Sequence, residues 1–247
     1  TKVMKDKLIP FFFFFWINAF STRAFGELDE IFTYLKERKQ HATIVPEQKN
    51  LFRVFKETPL DQVKVVILGQ DPYHSFAGDV SVANGLAFSI NEDVKDVFFL
   101  PPSLRNILSE IQNDVYPMSF DPERLSLNYK EEWGSRLTTQ GVLLLNTALT
   151  VEEGTPEAHC KLWESFTECV MQVLAAQEKS IVWLLFGKHA HAYEQYIPKH
   201  HKVIKTSHPS PLGATKQGKD YPAFIGSRCF STCNILLEAD GQTPIQW

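Results

Sequence analysis

The sequence is poor in cysteine: the chain of 247 residues has Cys160, Cys169, Cys229 and Cys233. No two of them form a C-x-x-C pair, and their spacings fit no zinc or iron–sulfur pattern. Scattered thiols in a chain of this length are typical of small buried side chains in a protein from a reducing compartment. The cysteines therefore predict neither a disulfide framework nor a metal site.

The chain also lacks an apolar stretch long enough to cross a bilayer. The run LIPFFFFFWINAF at 8–20 has 13 residues, whereas a helical span takes roughly 20. Lysines precede this run as in a signal peptide, but no small-residue cleavage site follows it. We expect residues 1–24 to form an apolar extension that packs on a main domain at 25–247, and we expect no membrane association.

An excess of basic residues is missing as well, since the formal net charge is −4 and the pI is about 6.1. Nucleic-acid binders usually present a basic face, but a local basic patch is compatible with an acidic body. Hydrophobic residues make up 44% of the chain, which is ordinary for a globular protein with a sizeable core. Composition thus neither indicates nor excludes a nucleic-acid partner.

Short apolar runs alternate with segments of helical periodicity. The predicted strands are KVVIL at 64–68, GVLLLN at 141–146, SIVWLLFG at 180–187 and the start of HKVIKTSHPSP at 201–211. Helices are predicted at 25–40, within the segment 101–115 with its start at Ser103 as the N-cap, and at 161–177. This order predicts an α/β fold: a single domain with a central four-stranded, mainly parallel sheet and helices on both faces. Ligands of such folds bind beyond the carboxyl ends of the strands.

A polar loop, GQDPYH at 69–74, follows the first predicted strand. Gly69 permits a sharp exit from the strand and Pro72 stiffens the turn, so Asp71 and His74 are held at the strand tip. A carboxylate there is able to polarise a water or to face a developing cation. The alternative is a polar turn that only closes the strand.

Three other motifs also leave two interpretations open. Asn146 ends GVLLLN, where its amide is suited to reading the edge of a base or to stabilising a turn. The proline-braced loop SHPSPLGA presents His208 together with Leu212, which either wedges into a base stack or folds back on the surface. Phe88 in GLAFS is either a stacking platform or a core residue.

Taken in order, GQDPYH, GLAFS, PPSL, LLLNTALTV and SHPSPL resemble the motifs of the family 1 uracil-DNA glycosylases. The resemblance runs from about residue 44 to at least residue 230 and includes the lead-in IVPEQKNLFRVFKETP. It implies an intracellular repair enzyme that flips uracil out of DNA and hydrolyses its bond to the sugar, leaving an abasic site. The compartment would be nuclear in a eukaryote, cytoplasmic in a bacterium and the host nucleus for a virus.

The resemblance also implies roles for individual residues. Asp71 is the carboxylate that orients the attacking water and faces the cationic sugar, and His208 donates to uracil O2 as negative charge develops. Asn146 pairs with the polar edge of uracil and rejects cytosine. The remaining uracil contacts are Tyr73, which blocks the thymine methyl, Phe88, which stacks on the base, and Gln70, which holds the base through its backbone.

DNA contacts follow from the same resemblance. Leu212 fills the gap left by the flipped nucleotide, and Ser103, Ser210 and the region of Gly187 and Lys188 grip phosphates. No cofactor or metal is implied. The implied partners are uracil-containing single- and double-stranded DNA, with a DNA-mimicking inhibitor or replication proteins as further candidates, and the protein is expected to be a monomer.

Some segments depart from the family pattern. The loop at 75–84 is longer than usual, with Ser75 where glycine is familiar and Val82 where glutamine is expected. This loop either changes the positions of the attacking water and of the bound DNA, or is a surface bulge without effect on function. The segment after SHPSPLGA is also long, and Lys216, Lys219 and Arg228 predict extra DNA-facing surface there.

Two alternative functions stay open. A scaffold or polymerase accessory factor with this fold is able to bind DNA without catalysis, although it has little physical reason to keep Asp71, Phe88, Asn146 and His208 together. An α/β enzyme for another substrate would have to account for both Tyr73 and Leu212.

Overall fold

The computed structural model describes residues 14–94, 99–118 and 127–247. The helices are α1 (Phe14–Ala19), α2 (Thr22–Arg38), α3 (Arg53–Glu57), α4 (Pro102–Val115), α5 (Leu127–Thr138), α6 (Cys160–Ala175), α7 (Gly187–His191) and α8 (Cys229–Ala239). The strands are β1 (Ile44–Val45), β2 (Val65–Gly69), β3 (Phe76–Ala77), β4 (Val80–Ser81), β5 (Val142–Asn146), β6 (Val151–Glu152), β7 (Val182–Phe186) and β8 (Lys202–Thr206). No helix in these ranges is long and apolar enough to cross a bilayer.

The central sheet has the strand order β5-β2-β7-β8, and every neighbouring pair is parallel. Strands β2, β5 and β7 are buried along their whole length, as expected for parallel strands that are covered on both faces. Helix α2 packs on α6, and α4 packs on α8. The prediction of a single α/β domain with a four-stranded parallel sheet flanked by helices is confirmed.

The carboxyl ends of the sheet strands meet along one edge. Gly69 of β2 lies opposite Asn146 of β5, and Phe186 of β7 lies opposite Thr206 of β8. The loops that leave these strands carry GQDPYH, the start of NTALTV, the turn into α7 and SHPSPL. The parallel register therefore brings together motifs that are more than 130 positions apart in the chain.

The N-terminal helix α1 packs into the main core. The Trp16 side chain is fully buried and its Nε1 donates to the Thr58 carbonyl at 2.8 Å. The Phe20 ring meets the rings of Phe25, Phe55 and Phe166. The first half of the predicted extension at 1–24 lies outside the described residues, and the division at 24 falls inside α2, so this domain boundary stays a prediction.

Helix α4 begins differently from what its sequence predicts. The helix starts at Pro102 after Pro101, and no side chain caps it, so the assignment of Ser103 as the N-cap is wrong. Proline at the first position lacks the N–H that a cap would satisfy, and its fixed φ suits a helix start. The Ser103 hydroxyl is consequently not needed by the helix.

The lengthened loop at 75–84 is an ordered hairpin. Strands β3 and β4 pair with Phe76 opposite Ser81, and Gly78 at the turn adopts φ +62°. Phe76 packs on a small apolar cluster that includes Val45 and Val151. Val82, which stands where the family pattern has glutamine, is fully buried. The additional residues are therefore anchored by apolar packing.

The cysteines are free, as the sequence predicts. Cys169, Cys229 and Cys233 are buried, and burial raises the pKa of all three thiols. Cys160, at the start of α6, is only half-buried.

Candidate active site

A cavity of about 760 Å³ opens at the carboxyl edge of the sheet. Its wall contains most of the residues that the sequence singles out, namely Gln70, Asp71, Tyr73, Phe88, Ser103, Asn146, His208, Ser210 and Leu212. Gly187 and Lys188 do not line it: Lys188 is exposed outside the cavity, and Gly187 lies behind His208. The structure thus brings the predicted uracil-contacting residues to one place, together with part of the predicted DNA contacts.

Asn146 depends on a glycine in the neighbouring strand. A Cβ at Gly69 would lie 2.2 Å from the Asn146 Oδ1 atom, so no larger residue leaves room for the amide in its present position. The Asn146 side chain is almost wholly buried and faces the cavity. Within the part of the chain that the structure describes, its amide has no hydrogen-bond partner, which leaves donors and acceptor free for a ligand.

Asp71 is held from a different segment of the chain. Its Oδ2 accepts the backbone N–H of Glu157 at 2.7 Å. Burial raises the pKa of the Asp71 carboxyl, the Glu157 N–H bond opposes that shift, and the negative charge of the Glu157 carboxylate adds to it. The ionised form of this carboxyl group is therefore less favoured than it is in water. The bond from the Glu157 N–H fixes the orientation of the group.

His208 is oriented by its own loop. The Ser210 backbone N–H donates to His208 Nδ1 at 3.0 Å, so Nδ1 carries a lone pair and the neutral ring has its proton on Nε2. Burial lowers the pKa of His208, and the nearby His189 lowers it further. The ring therefore offers an N–H donor without a positive charge at neutral pH. Gly187 allows this packing, since a Cβ there would lie 2.9 Å from the His208 Cβ.

Phe88 adopts a backbone conformation that is rare for an aromatic residue. Its φ of +55° lies in the left-handed region, which costs roughly 1–2 kcal/mol for a residue with a Cβ. The Trp133 Nε1 donates to the Phe88 carbonyl at 3.1 Å, and the Phe88 ring centroid lies 6.0 Å from that of Phe186. Neighbouring contacts thus hold a flat apolar face against the cavity.

Tyr73 closes another side of the cavity. Its hydroxyl is buried and without a hydrogen-bond partner among the described residues, and burial raises the pKa of the phenol. The ring is therefore neutral, and its position is set by packing. Such a wall restricts the size of the group that enters the cavity.

The loop that carries Leu212 is rigidly attached but presents this side chain to solvent. The Asn106 Nδ2 donates to the Pro209 carbonyl at 2.7 Å, and the backbone N–H groups of Gly213 and Ala214 donate to the Ser210 carbonyl. Leu212 is 80% exposed. Between the two interpretations of this residue, the structure shows a leucine that does not fold back on the surface.

The basic residues predicted to face DNA differ in their surroundings. Lys188, Lys216 and Lys219 are exposed. The Arg228 Nε lies 3.5 Å from the Asp114 Oδ1, so its charge is partly compensated. The role of these side chains in DNA binding stays a prediction.

Several residues of the site were missed by the sequence reasoning. Glu157 lines the cavity and binds Gln70, with the Gln70 Nε2 donating to its Oε1 at 2.6 Å. Thr147 donates from Oγ1 to the Gln70 carbonyl at 2.9 Å and contacts the His189 Nε2 at 2.8 Å. Thr147 directly follows Asn146 in the motif LLLNTALTV, so its position in that motif was a signal that could have identified it. Glu157 lies in a loop with no distinctive sequence pattern.

The described residues contain no cluster of three or more histidine, cysteine, aspartate or glutamate side chains that is able to hold a metal ion. The cavity itself presents a fixed carboxylate, a neutral imidazole N–H, an amide without a partner among the described residues and two aromatic walls.

Comparisons with known proteins agree with this arrangement. The model of the uracil DNA glycosylase superfamily matches residues 55–231. A uracil-DNA glycosylase from Sodalis glossinidius is 44% identical over 214 residues, which cover 86% of this chain and 85% of that protein. One from Leuconostoc mesenteroides is 42% identical over 212 residues, covering 85% and 84%.

Solved structures give the same result. The crystal structure of mimivirus uracil-DNA glycosylase is 26% identical, with a TM-score of 0.76, over 100% of this chain and 91% of that one. A variant of the mimivirus enzyme in complex with UGI has a TM-score of 0.81 at 26% identity, over 100% and 92% of the two chains. Since the family model spans well over half of the sequence and the relatives exceed 40% identity, the chain belongs to the uracil DNA glycosylase superfamily.

Proposed function

We infer that this protein hydrolyses the N-glycosidic bond of deoxyuridine in DNA, releasing uracil and leaving an abasic site. The observation that carries the inference is the Asn146 amide, which has no hydrogen-bond partner among the described residues and faces the same cavity as Asp71 and His208. An amide placed in this way offers its donors and its acceptor to a ligand in the cavity. A uracil edge, with one N–H and carbonyl oxygens, supplies the missing hydrogen bonds.

The two catalytic residues address the two charges of this reaction. Bond cleavage creates an oxocarbenium-like sugar and an anionic base. The Asp71 carboxylate faces the sugar and orients the water, and the His208 Nε2–H donates to the developing oxyanion. A carboxylate about 4 Å from a unit positive charge gains roughly 4 kcal/mol at an effective dielectric of about 20. If that gain is made only in the transition state, it corresponds to on the order of a thousandfold in rate.

Base selection is assigned to the cavity wall. Asn146 rejects cytosine because the cytosine N4 amino group and N3 acceptor present the opposite hydrogen-bond pattern. Tyr73 occupies the space that the C5 methyl of thymine needs, and Phe88 stacks on the base. The Gln70 backbone holds the base from the side.

The substrate is uracil in both single- and double-stranded DNA, because flipping costs a few kcal/mol and least where the base is unpaired. Leu212 fills the gap in the duplex, which fits its 80% exposure on a braced loop. Ser103 and Ser210 contact phosphates at the cavity rim, and Gly187 and Lys188 contact them beside it. We further propose that the protein is an intracellular monomer without a cofactor. Its proposed protein partners are a DNA-mimicking inhibitor or replication proteins, in line with the mimivirus relative that was crystallised in complex with UGI.

The test is the release of free uracil from a uracil-containing oligonucleotide. Wild type should release the base, whereas Asp71→Asn and His208→Leu should each lose a large part of the rate while still binding the oligonucleotide. Binding by wild type without release would favour the scaffold alternative.

A further inference from the structure

Glu157 occupies an unusual position beside Asp71. It lies in the loop between β6 and α6, lines the cavity and has a backbone φ of +66°. Its N–H donates to the Asp71 Oδ2 at 2.7 Å, and its carboxylate accepts the Gln70 Nε2 at 2.6 Å. One residue therefore contacts two consecutive residues of the GQDPYH loop.

The loop is anchored so that this left-handed conformation is maintained. The Arg38 guanidinium binds both carboxylate oxygens of Glu152, at 2.6 and 2.9 Å. Further along, His159 is fully buried and its Nδ1 lies 2.8 Å from the Thr150 Oγ1. Because both ends of the loop are tied to the core, a strained non-glycine residue is able to persist between them.

We propose that Glu157, held against Asp71 by its own backbone N–H, is a positioning residue whose carboxylate raises the lower pH limit of uracil release. This inference rests on the proposed function of Asp71 as the base that must be ionised. Two carboxylates that share a site disfavour the doubly ionised state, so the negative charge of Glu157 makes Asp71 hold its proton to a higher pH.

The surroundings of Asp71 contain other titratable groups that the test must separate from Glu157. They are His74 on the same loop, His189 on α7, His159 before α6 and Cys160 at its start. Burial lowers the pKa of His159 and His189, so both rings are neutral through most of the pH range of interest. Glu157 is the negatively charged neighbour among these groups that act on Asp71.

The experiment measures kcat/KM for uracil release from a single-stranded oligonucleotide between pH 5 and pH 8, with wild type, Glu157→Gln and Glu157→Asn. Both variants keep the backbone N–H, and asparagine tolerates the left-handed conformation. Glu157 is exposed and Asp71 is half-buried. Charge interactions that solvent screens amount to about 0.2–1 kcal/mol, so the ratio of variant to wild-type kcat/KM should be higher at pH 5 than at pH 8, by at most roughly 1.5- to fivefold. Glu153→Gln removes the same charge from the same loop outside the cavity wall and should leave the profile unchanged.

The outcomes are distinct. A constant ratio of variant to wild-type kcat/KM at all pH values, whatever its size, overturns the inference, because an effect on DNA attraction alone does not follow the titration of Asp71. An equal pH shift in Glu153→Gln also overturns it. Absence of release by wild type at every pH contradicts the proposed function itself.

Discussion

At the scale of single residues, the position of Asn146 depends on a neighbour that has no side chain. Gly69 lies opposite Asn146 across the β2–β5 pair, and a Cβ there would overlap the Asn146 Oδ1. The glycine of GQDPYH therefore does more than let the chain leave the strand. It opens the space in which the Asn146 amide lies.

Gly69→Ala should consequently reduce kcat/KM for uracil release by roughly fivefold to a hundredfold, because a displaced amide loses a hydrogen bond to the base worth about 1–3 kcal/mol. The matched control is Gly26→Ala in α2, where an added Cβ meets no atom within 4 Å. That variant should keep its activity and gain about 0.5–1 kcal/mol in the free energy of unfolding. Equal activity in Gly69→Ala and wild type would contradict the assigned role of Asn146.

Asn146→Asp should admit cytosine, because a carboxylate accepts from the N4 amino group that the asparagine NH₂ repels. The measurement compares release of cytosine and of uracil from otherwise identical oligonucleotides. Asn113→Asp, an exposed change on α4, adds the same charge as a control. No gain of cytosine release in Asn146→Asp would show that this side chain does not read the base.

The protonation of His208 is a prediction for NMR. With Nδ1 accepting from Ser210, the ring should carry its proton on Nε2 at pH 7. Because burial and His189 lower its pKa, the ring should become cationic only below the ordinary value of about 6.5. Uracil release should fall as the pH drops through the raised pKa of Asp71. A His208 that is protonated on Nδ1, or cationic at pH 7, would contradict the neutral-donor account.

At the scale of elements, the sequence predicted the sheet well and the connections less well. Strands β2, β5 and β7 are short apolar runs that are buried along their whole length, so their identity follows from composition alone, whereas the edge strand β8 is mostly half-buried. The start of α4 was mispredicted because Pro102 removes the need for the cap assigned to Ser103. Glu157 could not be found from sequence, since its place beside Asp71 results from the anchoring of a distant loop.

Helix α1 offers a test at this scale. Trp16 is fully buried whereas its neighbour Phe15 is 52% exposed. Trp16→Ala should lower the free energy of unfolding by about 3–5 kcal/mol, and Phe15→Ala should change it by less than about 0.5 kcal/mol. Denaturant unfolding measures both, and equal stability of the two variants would show that α1 is not part of the core.

The hairpin at 75–84 shows what pattern comparison leaves open. The departure from the family spacing was visible in the sequence, but two strands seated on Val45 and Val151 were not. The fold of an insertion depends on the apolar surface beneath it, which only the assembled structure provides.

At the scale of the whole molecule, an acidic protein has to bind a polyanion. The net charge of −4 requires that attraction to DNA come from local groups, and Lys216 and Lys219 are exposed in the segment after SHPSPL. Replacing both by glutamate should weaken DNA binding and reduce the slope of log K against log salt concentration by about two.

The matched control is Lys179→Glu with Lys199→Glu. These exposed residues lie just before β7 and β8, at the amino edge of the sheet and away from the cavity. This control should leave the salt slope unchanged. If both double variants behave alike, the segment after SHPSPL is not a DNA-facing surface.

The central claim is that the cavity at the carboxyl edge excises uracil and no other pyrimidine. The most direct measurement quantifies free bases released from three oligonucleotides that differ only in carrying uracil, cytosine or thymine at one position. Uracil should be released rapidly, and neither of the other two bases should be released above background. Release of no base, or equal release of uracil and thymine, would contradict this claim.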